Sequence, residues 1–125
     1  MCETRFYICE KCGNTVGMIH SSGVPLMCCG QKMAKLEAGT VEASKEKHIP
    51  VATVEGNAVK VSVGSVEHPM TPEHYIEWIE MIAEGRKQRQ ILEIGKPAQT
   101  RFPYVKGSKV YSYCNKHGLW SAEVK

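Results

Sequence analysis

Four cysteines crowd the first 36 residues, as Cys9-Glu10-Lys11-Cys12-Gly13 and Cys28-Cys29-Gly30, and they govern how that stretch can fold. A segment so short and so rich in glycine cannot bury a core of its own, so something must staple it. Disulfides would require an oxidising compartment. Adjacent cysteines in extended chain also point to opposite sides, so a bond between Cys28 and Cys29 would be strained. Metal ligation is the better reading. Cys-x-x-Cys sets two thiolates on one ion through a tight knuckle, and Gly13 permits the left-handed turn that follows. With nothing between Cys28 and Cys29, that half of the chelate is constrained differently, and a distorted angle at the metal is expected. A tetrahedral set of four thiolates suits zinc or iron, and spacing alone leaves the two equal. Cys2 has no partner in this scheme and is read as a spare thiol.

Cys114 and four of the five histidines point to a second centre of different character. They stand in Lys47-His48-Ile49-Pro50, Glu67-His68-Pro69-Met70, Glu73-His74-Tyr75 and Cys114-Asn115-Lys116-His117-Gly118. A lone histidine is more often a surface or satisfied core residue than a ligand. His20, in a polar run beside Ser21 and Ser22, keeps that reading. His117 is the strongest of the four, because Cys-x-x-His followed by glycine resembles half of a metal knuckle. Closed structural zinc sites take four ligands. Four imidazoles and a thiolate therefore point to a redox metal of square-based geometry, with one position left for a small molecule. If the five side chains converge, the expected chemistry is that of an enzyme acting on a dioxygen species.

The rest of the chain narrows the field. Its 125 residues make one domain or two small ones. A hydrophobic content of 42% and a charged content of 23% are ordinary for a soluble protein. No run approaches the roughly eighteen apolar residues of a membrane span, and Met1 to Arg5 lacks the apolar stretch of a secretory signal. A cytoplasmic protein with no membrane partner is expected. The net charge of +3 comes with short basic clusters that have acidic residues beside them. Nucleic-acid binders interleave basic stripes with aromatics, so no nucleic-acid partner is expected.

From His48 onward the pattern becomes that of strands. Val59, Val61 and Val63 alternate with Lys60 and Ser62, the period of a strand with one buried face. Residues 51–54 precede it across Glu55-Gly56-Asn57, a hairpin-type turn. Further strands are expected at 90–94, 101–105, 110–114 and 120–124. Six or seven short strands imply an all-β sandwich. The stretch 75–82 fits a helical face through Tyr75, Trp78, Ile79 and Ile82, or a strand face through Ile76, Trp78 and Ile82, and its pattern does not decide. The expected division is a metal-stapled domain at 1–36, a polar linker at 37–47 and a sandwich at 48–125.

The segments Glu46-Lys47-His48, Gly64-Ser65-Val66-Glu67-His68-Pro69-Met70, His74-Tyr75-Ile76-Glu77-Trp78-Ile79 and Cys114-Asn115-Lys116-His117-Gly118-Leu119-Trp120 together resemble the two-iron superoxide reductases, or desulfoferrodoxins. The pattern of Cys9, Cys12, Cys28 and Cys29 is similar to the desulforedoxin module, of rubredoxin type, that those proteins carry. The resemblance spans nearly the whole chain and leaves Cys2 and Arg86 to Arg89 without a family role. It implies an immunoglobulin-like β-sandwich, which tips 75–82 toward strand. It implies two Fe ions, one in an Fe(Cys)4 centre and one in an Fe(His)4(Cys) centre. In the second, His48, His68, His74 and His117 would be equatorial and Cys114 axial. The implied reaction is one-electron reduction of superoxide to hydrogen peroxide at an open sixth position. A rubredoxin-like donor and a homodimer are also implied. Lys47 would attract the anion, and Glu46 would close the sixth position of the ferric resting state. Asn115 is expected to offer a backbone donor to the Cys114 sulfur. Three competing expectations remain: a non-catalytic iron–sulfur electron carrier, a zinc-stapled interaction module, and a superoxide dismutase, which needs no external reductant.

Overall fold

Short strands, many of them bounded by glycines with positive φ, account for most regular structure among the residues described by the computed structural model, 6–40, 43, 45–83 and 85–124. The spare thiol expected at Cys2 lies outside them. The chain divides into two units between residues 37 and 38. In the smaller, β1 (Phe6–Ile8) pairs antiparallel with β2 (Thr15–Gly17). A separate hairpin of β3 (Met27–Cys28) and β4 (Gln31–Lys32) follows, and β5 (Ala34–Leu36) then takes the other edge of β1. No strand here exceeds three residues, and only Phe6 and Cys9 are buried among the described residues of the unit. Such a segment is held by its cysteines rather than by a core.

The larger unit begins with one helical turn, α1 (Lys45–His48). The strands β6 (Pro50–Glu55), β7 (Ala58–Val63), β8 (Ile76–Ala83), β9 (Arg86–Ile91), β10 (Gln99–Pro103), β11 (Lys109–Cys114) and β12 (Gly118–Glu123) follow. They form two antiparallel sheets, β10-β7-β6 and β12-β11-β8-β9. Val59, Val61, Val63 and Phe102 from the first sheet meet Ile79, Met81 and Val110 from the second in a common core. This is the β-sandwich expected, with seven strands. Among the described residues, no helix is long and apolar enough to cross a membrane.

Several strands depart from their expected limits by one to four residues, among them β12, which runs from Gly118 to Glu123 rather than 120–124. The strand expected at 90–94 begins at Arg86, because Gly85 at φ +72° turns a hairpin that pairs Ala83 with Arg86. The strand expected at 101–105 runs from Gln99 to Pro103 against Ser62 to Ala58. The undecided stretch 75–82 is strand β8. Its seven residues other than Glu77 are all buried, on both faces, which hides the period of two.

Candidate metal centres

The four sulfurs of Cys9, Cys12, Cys28 and Cys29 lie within 4.8 Å of one another. Cys28 Sγ is 3.6 Å from Cys12 Sγ and 3.9 Å from Cys29 Sγ. A metal–sulfur bond of about 2.3 Å puts the corners of a tetrahedron about 3.8 Å apart, so the spacing suits one ion. The first half of the set is a knuckle closed by Gly13 N–H to the Cys9 carbonyl (2.8 Å), with Gly13 at φ +83°. The second half is a two-residue turn in which Cys29 (φ +53°) and Gly30 (φ +75°) are both left-handed. Positive φ at both central residues marks the type I′ hairpin. Such a turn lets the Cys29 sulfur fall on the same side as that of Cys28, which an extended pair would not allow. The N–H groups of Cys12 and Lys11 hold the Cys9 thiol down to about 6. Hydrogen bonds to the thiols of Cys12, Cys9 and Cys28 push Cys29 up to about 12. Four thiolates this close need a cation among them.

The histidines form a ring of their own. Adjacent imidazole centroids are 4.7 Å (His48–His68), 4.6 Å (His68–His74), 5.0 Å (His74–His117) and 4.8 Å (His117–His48) apart. Each adjacent pair meets at 76–85°. His48 and His74 face across the diagonal at 6.2 Å and 30°. Four imidazoles at the corners of a square is the result. His48 Nε2 lies 3.1 Å from His68 Nε2 and 3.0 Å from His117 Nδ1. A metal–nitrogen bond of about 2.1 Å separates neighbouring corners of a square by about 3.0 Å. The Cys114 sulfur is fully buried and 3.8 Å from His117 Nδ1. It lies, with the donor atoms of His48, His68 and His74, in one group within 4.8 Å.

These donors are poised for a cation. His68 Nδ1 donates to the Pro69 carbonyl at 2.7 Å, which leaves its Nε2 lone pair directed at His48. Burial lowers His68 to about 4 despite that bond, so the ring is neutral at physiological pH. His74 is lowered too, first by burial and then by the charges of His117, Lys116, His48 and Lys47. Its Nε2 is buried with no hydrogen-bond partner, a cost that a metal ion would remove. Burial pushes the Cys114 thiol up, and N–H groups of Lys116 and His117 facing the sulfur pull it back. The backbone donor expected from Asn115 is not among them, because Asn115 N–H donates to the Tyr75 carbonyl at 3.2 Å.

The fold delivers the candidate ligands from three places: His48 from α1, His68 and His74 from the connection between β7 and β8, and Cys114 and His117 from the hairpin of β11 and β12. His48 closes α1, its ring stacks on Trp120 (5.1 Å, 26°), and its carbonyl accepts from Ser112 Oγ at 3.2 Å. Cys114 ends β11, where the register against β8 shifts. The His117 carbonyl accepts from Trp120 Nε1 at 3.1 Å. Glu46 and Lys47 are exposed on α1 immediately before buried His48. Gly64 allows α1 to sit where it does, since a Cβ there would lie 2.5 Å from the Glu46 carbonyl oxygen. His20 is exposed in the smaller unit and belongs to neither cluster. Sequence reading gave no part to Ser112, Pro69 or Gly64. The available signals were a proline directly after a candidate ligand and a glycine ending an alternating strand.

The profile of the desulfoferrodoxin family matches residues 40–123, and that of the desulfoferrodoxin N-terminal domain matches residues 3–36. A desulfoferrodoxin of Syntrophotalea carbinolica is 48% identical over 122 residues, covering 97% of each chain. Among solved structures, the superoxide reductase of Treponema pallidum aligns at a TM-score of 0.78 and 37% identity, over 97% of this chain and 99% of that one. The one-iron superoxide reductase of Giardia intestinalis aligns at a TM-score of 0.56 and 32% identity, over 65% of this chain and 99% of that one.

Proposed function

The chain belongs to the desulfoferrodoxin family, and we propose that it is a superoxide reductase. It converts superoxide to hydrogen peroxide by adding one electron and two protons. The observation that carries this reading is the square of His48, His68, His74 and His117 beside the buried Cys114 thiol. An electron carrier built on the four-cysteine centre alone would leave that square without a use. His48, His68, His74, His117 and Cys114 would hold an iron able to supply the electron, and Cys9, Cys12, Cys28 and Cys29 would hold a second, two per chain.

A six-coordinate metal held by these five donors would keep one position for a small anion. Lys47, exposed beside His48, draws that anion in. A well-placed cation raises encounter rates by roughly ten- to a thousand-fold, less as salt rises. Glu46, exposed on the same turn as Lys47, would offer a hard carboxylate suited to a hard ferric ion. The N–H groups of Lys116 and His117 facing the Cys114 sulfur would temper its donation to a bound metal, which favours release of peroxide over cleavage of its O–O bond. On this reading residues 1–36 hold the thiolate centre and 48–125 the catalytic fold. Residues 37–47 join them, with Glu46 and Lys47 at their end. A rubredoxin-like donor, a homodimer and a cytoplasmic location complete the reading, and their support is the family resemblance.

Metal analysis of anaerobically purified protein, followed by a superoxide pulse with reductant present, tests the proposal. The expected result is two irons per chain, one peroxide per superoxide and no oxygen released. Zinc alone in the protein, or oxygen evolved without consumption of reductant, overturns it.

A further inference from the structure

His74 is a candidate ligand that no strand or helix carries. It lies in the loop at 71–74, before β8 begins at Ile76. Its Nε2 makes no hydrogen bond that would orient the ring. Its main chain is braced by a residue of the opposite ligand turn. We infer that Asn115 is a positioning residue that sets the direction from which His74 meets the metal, an inference that rests on the second centre binding iron as proposed above. Asn115 Oδ1 accepts from Tyr75 N–H at 2.9 Å, and Asn115 Nδ2 donates to the Glu73 carbonyl at 3.0 Å. Those two groups belong to the peptide planes on either side of the His74 Cα. Because peptide groups are planar, holding both planes fixes φ and ψ of His74 and so the direction of its Cα–Cβ bond.

A third bond, Asn115 N–H to the Tyr75 carbonyl at 3.2 Å, extends the pairing of β11 with β8 beyond the bulge at Cys114. On the other side of the loop, Thr71 and His74 exchange backbone hydrogen bonds of 3.0 and 3.1 Å. The loop is therefore a closed piece that Asn115 ties to the turn carrying Cys114 and His117. An amide of this length is the side chain that does both jobs. Aspartate lacks the donor, serine has one polar atom, and glutamine is a methylene too long. Flipping the amide would set donor against donor and acceptor against acceptor, so its orientation is fixed. Asn115 thus couples three of the five donors.

The test uses the full, iron-loaded chain as wild type, Asn115→Ala and Asn115→Asp. It measures chelator-driven iron release from the second centre and the EPR signal of that centre when oxidised. The four-cysteine centre of the same molecules serves as an internal control. Loss of an outer partner of a ligand costs about 10–100-fold in metal affinity, and both variants should release this iron faster by about that factor, with an altered EPR signal. A side chain that merely fills space would be replaced well by isosteric Asp, so wild-type release from Asn115→Asp overturns the inference. That variant decides alone if Asn115→Ala does not fold. Wild-type protein that takes no iron at the histidines would instead overturn the function itself, and this inference with it.

Discussion

Pro69 offers its carbonyl to Nδ1 of His68, and that single bond places the proton on Nδ1 and leaves Nε2 for the metal. His117 turns its Nδ1 inward instead, 3.0 Å from His48 Nε2. It is two residues past Cys114 plus one, so the ring nitrogen nearer the backbone is the one within reach of the shared centre. Cys114 is the single sulfur among these donors, so its thiolate is the expected source of charge transfer to oxidised iron. Cys114→Ser should abolish the corresponding visible band, and an unchanged spectrum would remove Cys114 from the ligand set. The role proposed for Lys47 is one at longer range. Lys47→Ala should slow superoxide reduction by roughly tenfold or more at low salt and flatten its dependence on ionic strength. Stopped-flow rates across a salt series decide this, and a wild-type rate at low salt removes Lys47 from the mechanism. The ligand residues were legible because histidine and cysteine are rare and chemically specific. Which nitrogen each ring presents was not, since a neighbouring carbonyl or a turn sets it.

Among the elements, α1 is the most dependent on a distant partner. One helical turn has no stability of its own. It is held by Val66 N–H and Ser65 Oγ donating to the Glu46 carbonyl, at 2.9 and 3.3 Å, and by the close approach of Gly64. Gly64→Ala would force a methyl against main-chain atoms of Glu46, Lys47 and Ile49. Overpacking of that kind costs about 1–3 kcal/mol, visible as a lower denaturant midpoint at unchanged slope. Strand β8 presents a different cost. Glu80 is buried and paired with Arg89 at 2.6 Å, and its Oε2 has no partner. Burial raises its pKa, against the opposing charge of Arg89. The unfolded carboxylate therefore loses its proton first, near pH 4.3. From there to the raised folded value, each step up in pH lowers stability, and above it the deficit stays constant. Glu80→Gln lacks this slope. Its stability relative to wild type should rise between pH 4 and 7, and a difference that ignores pH would refute the argument. The valine alternation made β7 legible, whereas β9 was misplaced because Arg86 to Arg89 carry no apolar period. Their pairing comes from β8, which no local pattern reveals.

At the scale of the whole molecule, each unit carries one of the two candidate metal clusters. Cys9, Cys12, Cys28 and Cys29 lie in the smaller, and His48, His68, His74 and Cys114 in the larger, with His117 beside them. Among its described residues the smaller has only Phe6 and Cys9 buried, so its folding energy must come largely from its metal. The larger has a two-sheet core of its own. Long-range convergence of five donors could be suspected from sequence but not demonstrated, because it depends on which strands become neighbours. Losing the first centre should therefore unfold the smaller unit and spare the other. Cys12→Ser removes one of four thiolates and should abolish the absorption of the four-cysteine iron. The signal of the histidine centre and its single-turnover reaction with superoxide should stay within about twofold of wild type, a change of less than 0.5 kcal/mol by the usual conversion. Chemical pre-reduction of the histidine iron keeps electron delivery out of the measurement. Loss of both spectra together would show that the second centre needs the first to fold, and the two units would then have to be treated as one cooperative structure.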